Sequence, residues 1–126
     1  MESTTPLDNP HIQWGNRYIF VQATMQADAL KVAFPTRSAG WPITLMAPFV
    51  FVKKAAYEAD AEYFDFGSSS QCYCREEFVE LETLGPRPWL APGQNVSHRE
   101  RWQVYSGVDF EATEDTVAGL VRQLGL

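Results

Sequence analysis

From His11 to Tyr105 the chain is a succession of short runs of β-branched and aromatic residues, each stopped within a few positions by Pro, Gly, Asn or Ser. Such punctuation leaves strands and turns as the building blocks of this region. The strand candidates are His11–Trp14, Tyr18–Thr24, Leu30–Phe34, Trp41–Met46, Phe49–Ala55, Ser70–Arg75, Phe78–Leu84 and Arg99–Tyr105. Gly15-Asn16 between the first two is a hairpin-turn signal, because both residues tolerate positive φ. Arg75-Glu76-Glu77 is a polar turn candidate between two antiparallel strands. Pro86, Pro88 and Pro92-Gly93 prevent any strand between Leu84 and Val96.

The pattern changes near the end of the sequence. Val117, Leu120, Val121 and Leu124 fall at helical spacing, which predicts a helix over about 113–124. Thr113 suits the N-cap, Glu114 and Asp115 suit the positive end of the helix dipole, and Gly125 suits the stop. A helix this short is marginal alone, so a sheet or a partner must cover its apolar side. Closely spaced strands with one terminal helix predict a mainly β fold, an antiparallel sandwich or barrel. Residues 1–10 are polar with two prolines and read as a flexible N-terminal arm; residues 11–126 fit a single domain.

Composition narrows the function classes. With 45% hydrophobic and 21% charged residues, the chain of 126 residues is expected to fold as an ordinary globular domain. A formal net charge of −6 without a basic run argues against nucleic acid and anionic membrane as partners. The longest apolar stretch, Ile43 to Val52, is interrupted by Pro48 and is too short to span a bilayer. Met1 to Pro10 lacks the basic and apolar regions of a signal peptide, so a cytoplasmic location is expected. Cys72 and Cys74 are i, i+2 neighbours, badly aimed for a disulfide, and only His11 and His98 could join them at a metal. Buried reduced thiols are therefore expected, with no metal and no cofactor. Neither a glycine-rich phosphate loop nor a nucleophile elbow is present.

Chemistry-bearing side chains concentrate in the later strands. Along Phe78–Pro86, alternation puts Glu80 and Glu82 on one face. In-line carboxylates repel, which can raise the pKa of one towards that of a general base; equally, both can decorate a wet sheet face. Gln71, Tyr73 and Arg75 share a face of their own strand, and pairing the two strands would assemble Gln, Tyr, Arg and Glu into a sugar-type patch or ordinary cross-strand pairs. Lys53 and Lys54 point to opposite faces, and Lys53 with Glu82 is the preferred ion pair. Trp41, between Gly40 and Pro42, is a pocket-rim candidate; Trp102 is expected in the core; Trp14 and Trp89 flank turns; His98 reads as a surface residue.

Phe51-Val-Lys-Lys, Tyr57-Glu-Ala-Asp-Ala-Glu-Tyr63 through Asp65-Phe-Gly67, Val79-Glu-Leu-Glu-Thr-Leu-Gly-Pro86, Leu90-Ala-Pro-Gly93 and His98-Arg-Glu-Arg-Trp102 occur in this order. Together, over roughly residues 11 to 107, they resemble the C-terminal half of uncharacterised bacterial proteins related to the galactose mutarotase (aldose 1-epimerase) superfamily. The resemblance implies half of a supersandwich, with a sugar on a concave sheet face. It also implies Glu82, in Leu81-Glu-Thr83, as the catalytic base. Two departures qualify turnover: a full supersandwich needs about twice this length, and neither His11 nor His98 lies in a motif matching the family's acid.

Three readings follow. The first is a carbohydrate-binding protein of mutarotase-like architecture, with Glu80, Glu82, Lys53, Arg75, Tyr73, Gln71 and Trp41 as candidate ligand contacts. The second is a sugar epimerase or mutarotase using Glu82 as base. The third is a non-enzymatic assembly module. A homodimer is expected, because a half-sandwich exposes sheet edges and apolar surface; the competing account is a monomer sealed by its own C-terminal helix.

Overall fold

The computed structural model describes residues 5–23, 29–35, 43–46, 49–75 and 78–126. Trp41 and the turn at Glu76-Glu77 lie outside the described residues. The fold is mainly β, with antiparallel sheets and a short C-terminal helix, as the strand and helix periodicities predict. In chain order the elements are β1 (Ile12–Trp14), β2 (Ile19–Val21), β3 (Leu30–Phe34), β4 (Ile43–Met46), β5 (Phe49–Ala55), the single turn α1 (Phe64–Gly67), left-handed at Asp65 and Phe66, β6 (Ser70–Arg75), β7 (Phe78–Thr83), β8 (Glu100–Ser106) and α2 (Glu114–Gln123).

β1 and β2 form a hairpin, with Trp14 opposite Ile19. Its turn comprises residues 15–18, closed by the Gly15 amide donating to the Tyr18 carbonyl at 2.9 Å. Gly15 has no positive φ. Its value is space, since an added Cβ would stand 2.7 Å from the Tyr18 carbonyl oxygen. Two three-stranded antiparallel sheets make up the rest, in the orders β3-β6-β7 and β4-β5-β8.

Each sheet buries one face under a different cover. The hairpin lies on β3 and β6, where Ile12, Leu30, Val32 and Cys74 form a core with Ile19, Val21 and Phe34 against it. On the second sheet, Val50 and Val52 of β5 are fully buried with Leu120 of α2, alongside Tyr105, Val108, Leu124 and Leu126. The apolar side of α2 is thus covered by the chain's own sheet, which removes the helix as a reason for self-association. Thr113 caps α2 by accepting from the Thr116 amide at 3.3 Å, and Gly125 takes a positive φ of 65° just past its end. Glu114, in the first turn, accepts from the backbone amides of Arg17 at 2.7 Å and Tyr18 at 3.3 Å, joining the two covers.

Residues 5–10 lie against the hairpin and β3: Trp14 donates its indole N–H to the Leu7 carbonyl at 2.8 Å, and the Lys31 amide donates to Thr5 Oγ1 at 2.9 Å. Both cysteines are free and buried on the hairpin side of β6. Burial first, then the nearby Cys74 and Glu82 charges, pushes the Cys72 thiol up to about 11.

Candidate functional site

Strand register decides which side chains meet. In β6 and β7, Gln71 pairs with Glu82 and Tyr73 with Glu80, so the proposed Gln-Tyr-Arg-Glu grouping does share one sheet face with Lys31 of β3. Its members engage separate partners, however. Gln71 is only 2% exposed and donates to Asp65 of α1 at 2.5 Å. The Tyr73 ring lies 5.9 Å from that of Phe78, while Glu80 and Arg75 extend into solvent. Glu82 is half-buried, with its side chain directed to the face opposite Thr83.

Lys53 belongs to a different grouping. On β5 and β8, Phe49, Phe51 and Lys53 face Ser106, Val104 and Trp102 across the ladder, on the side of the sheet away from α2. Lys53 pairs with Glu100 at 3.0 Å rather than with Glu82, and donates to the Leu81 carbonyl at 2.7 Å. That carbonyl belongs to β7, whose ladder pairs it on its other side with β6, so Lys53 stitches the edge of one sheet to the middle strand of the other.

Glu100 is the hub. Its Oε1 accepts from Thr83 Oγ1 at 2.5 Å and from Lys53, and its Oε2 accepts from the Trp102 indole N–H at 2.9 Å. Burial raises the Glu100 pKa, but hydrogen bonds from Thr83, Lys53 and Trp102 and the Lys53 charge outweigh it, and the net shift is downwards. His98 Nε2 stands 2.8 Å from Thr83 Oγ1. A hydroxyl has a single hydrogen; with that hydrogen given to Glu100, the oxygen accepts from His98, which assigns the Nε2–H tautomer. Gly85 makes room for this ring, since a Cβ there would meet His98 Nδ1 at 3.0 Å.

Above this network Trp102 is 64% exposed, a correction to its expected core position. The covered face of β8 is taken by Gln103 and Tyr105, so alternation turns Trp102 and Val104 outward. The indole is nonetheless fixed: its N–H is held by Glu100, Lys53 Nζ lies 5.4 Å from the ring centroid, and Phe51 meets it edge-on at 5.8 Å. His98, Glu100 and Trp102 line a shallow open depression beside it.

Sequence reasoning found Lys53 but missed Thr83, His98 and Glu100. A signal was present, since His98, Glu100 and Trp102 stand at i, i+2 and i+4, the spacing that aligns side chains on one strand face. Among the described residues, no group of three or more His, Cys, Asp or Glu is placed to hold a metal ion, and no helix is long and apolar enough to cross a membrane.

No family model, curated protein or solved structure matches the chain.

Proposed function

We propose that the chain is a carbohydrate-binding domain of mutarotase-like architecture, with the open face of β4-β5-β8 as its ligand platform. The observation that carries this reading is the exposed Trp102 ring, pinned by its own N–H to a carboxylate that Lys53 and Thr83 also hold. A pyranose presents C–H groups on its faces and hydroxyls around its rim. A rigid indole offers the apolar half of that match, and neighbouring hydrogen-bonding groups offer the polar half. Glu80, Glu82, Gln71, Tyr73 and Arg75 lie on a different sheet and are secondary candidates.

On this platform Glu100 is suited to holding a ligand rather than to taking a proton from it. A carboxylate that already accepts three hydrogen bonds and has a lowered pKa is a poor proton acceptor near neutrality. The epimerase alternative, with Glu82 as base, predicts that optical rotation of fresh α-glucose or α-galactose decays faster with the protein and not with Glu82→Gln.

The test of the binding reading is titration with neutral and acidic mono- and oligosaccharides, followed through the Trp102 indole N–H resonance. A saturable shift, abolished by Trp102→Ala while backbone resonances stay dispersed, is expected. Absence of any shift at millimolar sugar defeats it. A second reading, homodimerisation through the same face, is favoured by the exposed Phe49 and Val104 that flank the platform. It predicts twice the chain mass in sedimentation equilibrium, reverting to one chain in Val104→Asp.

A further inference from the structure

The turn Asp65-Phe66-Gly67 is left-handed throughout, with φ of 49°, 60° and 83°. Glycine adopts this region freely and aspartate tolerates it, but a bulky aromatic residue there is an outlier held against its own backbone preference. The turn is not slack. The Ser68 amide donates to the carbonyls of both Phe64 and Asp65 at 3.2 Å, and Ser68 Oγ donates to the Asp65 carbonyl at 2.7 Å. The Asp65 carboxylate is held by the buried Gln71 amide and stands 3.9 Å from Lys31. The backbone of the turn and the Asp65 carboxylate are held, and the Phe66 side chain that the turn presents is in full contact with water.

Strain and solvation therefore act against folding at the same residue. Strained positions that persist because their surroundings enforce them cluster at functional sites. Two residues before Phe66 in the chain, Phe64 belongs to a cluster with the make-up of an interface. Arg87 lies over both the Phe64 and the Trp89 rings, 5.5 and 5.1 Å from their centroids, and Trp89 is 83% exposed. The Arg87 amide donates to the Glu62 carbonyl at 2.7 Å, tying this stack to the segment that leads into the turn. Exposed aromatic residues with an arginine are the composition that protein interfaces favour.

Charge selects the occupant. Residues 58 to 65 contain Glu58, Asp60, Glu62 and Asp65 and no basic residue, on a chain of net charge −6, and the two cations near them are engaged, Arg87 over the Phe64 and Trp89 rings and Lys31 beside Asp65. A second copy would bring like charge against this surface, as would a phosphate-bearing polymer or an anionic bilayer. We propose that the Phe66 turn is a docking knob for a protein partner that offers an apolar pocket rimmed by lysine or arginine side chains. This inference is independent of the carbohydrate reading, since it uses none of the residues around Trp102.

Two measurements test it on the full chain. In its native cells, a benzophenone-bearing phenylalanine at position 66 should give a discrete protein adduct under light, absent when the same probe replaces the exposed Val96. The cross-linked peptide should combine apolar residues with Lys or Arg. The purified partner should lose at least tenfold in affinity with Phe66→Ala and also when salt rises from about 50 to about 500 mM. No adduct, equal adducts at both positions, an adduct of the chain with itself, an acidic cross-linked peptide or salt-insensitive binding each overturns the proposal. Separately, Phe66→Gly should raise the Tm by about 3 °C, because glycine relieves the left-handed strain. A lower Tm for Phe66→Gly and Phe66→Ala alike would make Phe66 a folding residue and also overturn it.

Discussion

On the side away from the hairpin, β3-β6-β7 carries Lys31, Arg75, Glu80 and Glu82 with the Tyr73 and Phe78 rings, whereas β4-β5-β8, away from α2, carries Phe49, Phe51, Trp102 and Val104 around the Lys53–Glu100 pair. Both sheets are antiparallel, three-stranded and covered on their other face. What differs is how the open side meets water. Charged side chains on the first sheet reach water, alone or, for Lys31, beside Asp65, and need no further cover. Aromatic and aliphatic side chains on the second keep an unfavourable contact with water that burial by a ligand or partner would remove. The second face is therefore the one whose rings, held by a part-buried polar network, gain from being covered.

The contrast is broken or sharpened most strongly at Glu100. Glu100→Ala strips the partner from a Lys53 that is largely enclosed and leaves Thr83 and Trp102 without their acceptor. A loss of about 2–3 kcal/mol in urea unfolding is expected, less than for a fully buried pair because both groups retain some solvent. Equal losses for Glu100→Ala and Glu82→Ala would erase the distinction between the faces.

Acid should act through the same network. Glu100 and Glu114 have folded pKa values lowered from 4.5, so their stabilisation is present above that value and disappears as pH falls through the folded pKa. Urea midpoints measured between pH 6 and pH 3 should fall, and Glu100→Gln should remove part of that dependence. The covered face of β6 responds at the other end of the scale. Cys72, raised from 9.0 to about 11, contributes stability that is intact below about 9 and is lost as pH climbs towards 11. Its thiol should react with a disulfide reagent far more slowly in the native than in the denatured protein, and a stoichiometric fast reaction at pH 8 would contradict the burial. The smallest effect belongs to the polar face, where Glu80→Gln and Glu82→Gln should each shift stability by no more than about 0.5 kcal/mol.

Much of the fold was legible because local rules determine it. Thr113, Glu114, Asp115 and Gly125 marked the ends of α2, and the β-branched runs marked the strands to within a few residues. Trp102 was misplaced for a physical reason: alternation shows that Trp102 and Gln103 point opposite ways, but not which side a helix more than ten positions later will cover. The site was less legible still. Lys53, Thr83 and Glu100 come from three strands, and only register and packing bring them onto one carboxylate. Glu82 stood out through its alignment with Glu80 and through the family resemblance; the structure places it half-buried, with Gln71 across the ladder.

The link between Glu114 and the amides of Arg17 and Tyr18 has a kinetic consequence. It joins residues up to 97 positions apart and fastens the hairpin that seals one core to the helix that seals the other. Each lid is therefore steadied by the other, and the hairpin gains this fastening only once the helix, made late in the chain, is in place. Contacts of such long sequence separation slow the search for the native state. Until α2 docks, the two valines of β5 lack their cover, and that interval is when this face of the second sheet is open to neighbouring chains.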